Sequence, residues 1–232
     1  MDTNHEMNYY NYGKTLSAEG VVKSWLLNNK GNDNHEYVDL GLPSGTLWAT
    51  TNIQDADGNE LYFAWGETQG YTSGQVGTDK YFSWGKNADY KYGMEDNLTK
   101  YNNTDKKTEL DAEDDAATAN WGSNWRMPTI EQFDELIANT EYEWTIVNGV
   151  QGAKFTSTDS KTSTDKFLFF PAVGGAGSGQ VLDVGNVGLY WAVSLVTDIN
   201  ASRLYIGEDD CLVQYNERYY GFSVRPVRSK KL

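Results

Sequence analysis

The chain has a single cysteine, Cys211, and two histidines, His5 and His35. One cysteine excludes an intramolecular disulfide framework and any Cys-x-x-Cys metal site. Both histidines stand in polar surroundings outside the expected core, so neither a histidine-based triad nor a zinc centre is expected. Bases are scarce as well: 19 Lys and Arg against 33 Asp and Glu give a formal net charge of −14. Such a surface cannot release phosphate counterions, which argues against nucleic-acid binding. No apolar run approaches the roughly 20 residues of a membrane span. The first ten residues, MDTNHEMNYY, hold no basic segment followed by an apolar one, so no signal peptide is expected there.

What the chain holds in quantity is aromatic: eight Trp, sixteen Tyr and eight Phe in 232 residues. With 39% hydrophobic residues these can fill a sizeable core, which argues against disorder throughout. The length suits one domain, or one domain with an extension. Residues 1–34 read as that extension. Leu16 to Leu27 has a short helical pattern, with Ser17 as N-cap and Val21, Val22, Trp25 and Leu26 on one stripe. Asn28 to Asn34 reads as a linker. The extension is either a packing element or an attachment arm.

From residue 35 onward the pattern is short strands broken by turns. Tyr37–Leu40, Thr46–Thr50, Leu61–Gly66, Lys166–Phe170 and Gly188–Ser194 read as strands. Arg203–Ile206 and Cys211–Gln214 read as a hairpin around Gly207–Asp210. Residues 69–108 read as a long polar surface insertion, and Gly174–Gly179 as a flexible stretch. Two helices are expected. One covers Glu113–Ala119, with acids favoured in its first turn by the helix dipole. The other opens on a capping box, Thr129-Ile130-Glu131-Gln132, after Pro128. Its apolar face is Ile130, Phe133, Leu136 and Ile137, while Glu131, Asp134 and Glu135 face water.

Several ordered segments then carry a family resemblance. The run Glu36-Tyr37-Val38-Asp39-Leu40-Gly41-Leu42-Pro43-Ser44-Gly45-Thr46-Leu47-Trp48-Ala49 resembles the opening of the Fibrobacter-type major paralogous domain. Tyr62–Thr68, Asp114–Ala117, Asn120–Gly122, Trp125–Thr129, Tyr190-Trp191 and Arg218–Arg228 follow in the family's order. The resemblance covers about residues 36–228. It implies a C-type lectin-like α+β domain, in the branch shared with formylglycine-generating enzymes. Two helices would flank a twisted antiparallel sheet in a loop-rich domain, and the last strand would return near the first. The domain would span residues 35–232, and residues 1–34 lie outside the pattern. The resemblance also implies a surface setting in gut bacteria: extracellular, at the cell surface or on a phage virion. Some members are variable proteins of diversity-generating retroelements, whose C-terminal segment is rewritten on a fixed scaffold. The enzymes of the branch use cysteines to bind copper, and Cys211 alone offers no ligand pair.

The segment from Trp191 to Gly221 is the candidate binding face. With period 2, Leu204, Ile206, Cys211 and Val213 face the core, and Arg203, Tyr205, Leu212 and Gln214 face outward. The preceding loop adds Leu195, Val196, Asp198 and Ile199, and the following one Tyr215, Glu217, Tyr219 and Tyr220. Tyr and Arg beside exposed aliphatics suit a paratope-like surface. The resemblance places outward, variable side chains in the same segment, so Ala192, Val193 and Ala201 join the candidate set. A simpler alternative buries Val196, Ile199, Tyr219 and Tyr220 as packing groups.

The expected function is therefore non-enzymatic binding of a surface protein or glycan, as an adhesin or phage receptor-binding protein. The alternative is a structural subunit of a surface appendage such as a pilus, assembled through residues 1–34. A glycosidase would need two acids at catalytic separation, and no pair stands out. No cofactor is expected. Glu208, Asp209 and Asp210 offer oxygen ligands for a structural Ca²⁺, although a solvated hairpin tip explains them as well. Asp111, Glu113, Asp114 and Asp115 could also chelate, but helix N-terminal acids are the simpler account. Trp48, Trp65, Trp121, Trp125 and Trp191 read as core, and Trp84 as the tryptophan placed to stack on a sugar. Arg225 and Arg228 are expected to pair with acids.

Overall fold

The computed structural model describes residues 10–11, 14–15, 35–84, 89–159 and 166–230. The helix expected over residues 16–27 and the linker at 28–34 lie outside them. Two short strands, β1 (Tyr10–Asn11) and β2 (Lys14–Thr15), pair antiparallel in the extension.

An Asn-Gly dipeptide sets the first of the larger sheets. β5 (Thr140–Val147) and β6 (Val150–Ser157) pair directly across Asn148-Gly149. Both turn residues have positive φ, 51° and 83°. That is the two-residue turn whose twist matches a hairpin. β7 (Phe167–Pro171) adds to the other edge of β6. A second sheet joins the two ends of the domain. β4 (Thr46–Ala49) pairs with β3 (Tyr37–Val38) on one side and with β13 (Val227–Ser229) on the other. The expected return of the last strand near the first is met by this pairing.

The third sheet carries the candidate face. β10 (Val187–Thr197), β11 (Asn200–Gly207) and β12 (Cys211–Glu217) form an antiparallel meander in that order. Gly174–Gly179 is not a loose stretch. β8 (Gly175–Gly177) pairs with β9 (Gln180–Leu182) across a tight turn at Ser178-Gly179. Leu61–Gly66 makes isolated bridges instead of a strand, Phe63 with Phe222 and Tyr62 with Tyr71.

Two helices occur among the described residues. α1 (Ala116–Trp121) begins three residues later than expected, because Asp115 is its N-cap and accepts from Thr118 N at 2.9 Å. α2 (Ile130–Ala138) starts on Thr129 with the full reciprocal capping box to Gln132. Phe133 and Leu136 are fully buried on its inner face. Glu135 does not simply face water: it accepts from the Ser44 backbone N at 2.7 Å. Described residues are thus mostly strand and loop.

β10 divides the interior in two. On one side Tyr190 and Ala192 join Trp48, Phe133, Phe155, Phe170, Leu204 and Ile206. On the other, Trp191 and Val193 join Phe63, Trp65, Phe82, Tyr90, Tyr92, Tyr101 and Phe222. Residues 69–108 are therefore loop-dominated but not merely superficial, since Phe82, Tyr90, Tyr92 and Tyr101 are core. Trp48, Trp65, Trp125 and Trp191 are at most 1% exposed. Trp121 is partly buried and stacks on His35 at 3.8 Å, which draws that histidine onto an aromatic surface. Trp84 is not a free platform: it packs edge-on against Tyr90 and Tyr219, at 5.4 and 5.1 Å.

Candidate functional site

The meander's register fixes which side chains can meet. Trp191 lies opposite Arg203, which lies opposite Gln214, and Leu189, Tyr205 and Leu212 form the next row. Because side chains alternate across a strand, these share one face. Tyr190, Leu204 and Val213 form a row on the other face, with Ile206 opposite Cys211. Cys211 and Val213 pack half-buried against the second core cluster, on the inward side expected for them. Burial pushes the Cys211 thiol up to about 12, so it is a poor nucleophile at neutral pH.

The candidate residues do not form one patch. Ala192 and Ala201 are 0% exposed and Val193 is 7% exposed, so these three are core and cannot meet a ligand. β11 is the middle strand of its sheet and is covered on both faces over this stretch. Arg203 is covered for the same reason, at 9% exposure. Period 2 tells which side a residue takes, not whether that side is open. Leu212, Gln214 and Tyr215 on the edge strand are exposed, and Tyr205 is half-buried. Tyr215 lies opposite Ser202, on the other face from Leu212 and Tyr205.

Tyr219 and Tyr220 are half-buried in an aromatic row. They stack on each other at 4.4 Å, Tyr219 meets Trp84, and Tyr220 lies parallel to Phe222. Glu217 accepts from the Tyr219 hydroxyl at 3.2 Å. The packing alternative therefore fits the two tyrosines better than the solvent-facing one.

Leu195, Val196, Asp198 and Ile199 are brought together around the β10–β11 turn. They line an open cleft of about 770 Å³ whose other wall is Asn102, Asn103, Lys106, Lys107 and Thr108. Val196 is 46% exposed there. Asp198 ties the walls: its carboxylate accepts from Asn103 N at 3.1 Å and Asn103 Nδ2 at 2.6 Å. Leu195 N donates to the Thr108 carbonyl at 2.7 Å.

A buried arginine holds the cleft from behind. Arg218 is 0% exposed. It donates to the Tyr101, Lys100 and Asp198 carbonyls and to the Tyr90 hydroxyl, all between 2.7 and 3.0 Å. The rings of Trp65, Tyr90, Tyr92 and Tyr101 surround it at 5.0–5.8 Å. One guanidinium thus joins the 98–108 segment to the β10–β11 turn. Sequence reading assigned Arg218 no role, and it missed the Asn102–Thr108 wall. The Asn102-Asn103-Thr104-Asp105 run was the available signal, since such residues fix turns through their side chains.

The other charged groups are accounted for locally. Asp111, Glu113 and Asp114 come close enough to hold a cation, but the Lys100 ammonium occupies that place at 2.7, 3.0 and 2.6 Å. Burial alone would raise Asp114, yet hydrogen bonds from Lys100, Lys91 and the Tyr101 hydroxyl hold it well below the usual carboxylate range. Asp111 and Asp114 are therefore lysine partners, and only Asp115 serves the helix. Glu208, Asp209 and Asp210 are an exposed hairpin tip. Arg225 donates to Asn52 Oδ1 and to the Ala49 and Phe169 carbonyls. Arg228 packs over Tyr37 and Trp125. Two further open clefts exist. One of about 530 Å³ lies beside Asp115, Arg126 and Arg228, and one of about 620 Å³ beside Trp144, Gln151, Asn186 and Glu208.

Comparison with protein-family models, with curated proteins and with solved structures finds no match for this chain. The geometry and the motifs are the guides to function.

Proposed function

We propose that the protein is a non-enzymatic binding domain with a C-type lectin-like fold. Its ligand, a surface protein or glycan, enters the cleft between residues 102–108 and the β10–β11 turn. Tyr205, Leu212 and Gln214 extend the contact along the sheet. The observation that carries this reading is the cleft's composition. Exposed Val196 and half-buried Leu195 and Ile199 sit among Asn102, Asn103, Asn200 and two lysines. Apolar anchors ringed by amides and charges suit recognition of another surface. Arg218 and Asp198 preorganise the walls, so little ordering cost falls on binding. The ordered motifs of the Fibrobacter-type major paralogous domain add to the reading, as does the pairing of β13 with β4. They favour an extracellular setting, at a bacterial surface or on a phage virion, with a C-terminal segment open to diversification.

A second reading is an assembly subunit of a surface appendage. Ile146, Leu182 and Val184 favour it, because they are 53–64% exposed and lie outside the cleft.

Binding of the purified protein to a panel of surface proteins and glycans separates the two. Val196→Asp and Leu212→Asp change exposed side chains, so both variants should melt with the parent. Each should weaken a captured ligand at least tenfold, as expected for an anchor worth about 2 kcal/mol. Full binding by both variants would move the site elsewhere. Concentration-dependent self-association lost on Ile146→Asp would favour the assembly reading.

A further inference from the structure

Four arginines are buried among the described residues, Arg203, Arg218, Arg225 and Arg228, and Arg203 has a guanidinium nitrogen with no partner. Every guanidinium nitrogen of Arg218 and of Arg225 has an acceptor. Arg203 is 9% exposed and has only two acceptors, both neutral carboxamides. Its Nε donates to Asn216 Oδ1 and its Nη2 to Gln214 Oε1, the latter at 2.9 Å. Nη1 is buried with no partner. Its neighbours in the sheet are neutral as well: Trp191, Ala201, Tyr205, Leu212, Gln214 and Asn216. The rings of Tyr205 and Phe222 flank the guanidinium at 5.6 and 5.7 Å. A buried cation without a counter-ion is costly, and a carboxylate accepting two parallel bonds is its strongest complement.

We propose that Arg203 is the receiving half of an intermolecular ion pair, completed by a Glu or Asp side chain of a partner protein. The inference rests on the reading of this face as a binding surface. The Gln214 carboxamide is the exchangeable element. It belongs to an exposed residue on the edge strand and holds one prong of the fork. When Gln214 swings out, an incoming carboxylate takes Nη1 and Nη2 together. A protein partner fits better than a small saccharide for two reasons. Arg203 sits on the broad face of the sheet, between Trp191 and Gln214 and beside the exposed edge strand, so an anion borne on a surface laid against the sheet can reach it. Leu212, directly opposite Tyr205 and 37% exposed, offers a branched aliphatic contact beside the charge.

Two measurements on the full chain test this without the natural partner. In the first, Gln214→Glu places a carboxylate within the molecule at the same fork. It should raise Tm by about 2–4 °C, the shift that one added favourable interaction gives a protein of this size. A Tm at or below that of the parent overturns the proposal. In the second, the Arg203 Nε–Hε resonance is followed by NMR during titration with acetyl-Ala-Glu-Ala-amide, with acetyl-Ala-Gln-Ala-amide as control. A saturable shift with the Glu peptide alone, abolished in Gln214→Glu, is expected. Equal responses to both peptides overturn the proposal, and a response to glucuronate but not to the Glu peptide overturns the protein source. A failed ligand panel would leave these readouts intact, and their failure would leave the Val196 cleft to be judged by the panel.

Discussion

Glu60 shows how a single buried acid sets a pH limit on the fold. One of its oxygens accepts from Asn52 Nδ2 at 2.7 Å, and the other is buried near the Ser223 hydroxyl. Burial raises its pKa from 4.5 to about 7. Burial raises Glu36 to about 7 as well. In the unfolded chain both acids ionise near 4.5, whereas in the folded protein they keep their protons to about 7. Between those values unfolding releases protons, so stability falls as pH rises from about 4.5 through 7. Asp114 works in the opposite direction: its depressed pKa adds stability that disappears as pH falls below its ordinary value of 3.8. Glu60→Gln should flatten the decline above pH 4.5 and raise Tm at pH 8. Urea melts of parent and variant at pH 5, 6.5 and 8 would check this. Parallel curves at all three values would contradict it.

At the level of elements, the clamp between residues 98–108 and the β10–β11 turn decides whether the cleft exists. Arg218→Lys keeps the charge but loses the planar fork, and its three N–H donors cannot serve all four acceptors. We expect a loss of about 2–4 kcal/mol in stability, with faster amide exchange in residues 102–108 and 195–200. Unchanged exchange there would mean that the walls stand without the clamp. Elements with local chemistry were legible from the residues alone. Thr129 and Gln132 announced α2, and Gly207–Asp210 announced the β11–β12 turn. The β5–β6 hairpin was equally legible, through Asn148-Gly149 between two alternating runs, but went unread. What depended on long-range partners was not legible. Period 2 put Arg203 and Leu212 on the correct side, yet it could not show that Phe222 covers Arg203. The polar tyrosines of residues 69–108 read as surface because their hydroxyls find distant carbonyls. Tyr90 donates to Trp65 O and Tyr92 to Gly66 O, both buried.

For the molecule as a whole, the two ends of the domain close on each other through β3, β4 and β13. The meander β10–β12 is held between two core clusters, with its turn and its edge strand left accessible. That arrangement separates what stabilises from what can vary. Ala192, Val193 and Ala201 are buried in the scaffold, whereas the exposed Val196 and Leu212 can change at little cost to the fold. The net charge of −14 keeps such a surface soluble and discourages loose adhesion to anionic partners. In the binding role proposed above, specific capture rests on short-range fit in the cleft and along the Arg203 face. Hydrogen exchange of the protein with and without the first ligand captured from the panel tests this most directly. Slowed exchange is expected at residues 102–108, 195–200 and 205–214. Protection confined to residues 144–151 and 182–186, with the cleft unchanged, would contradict it.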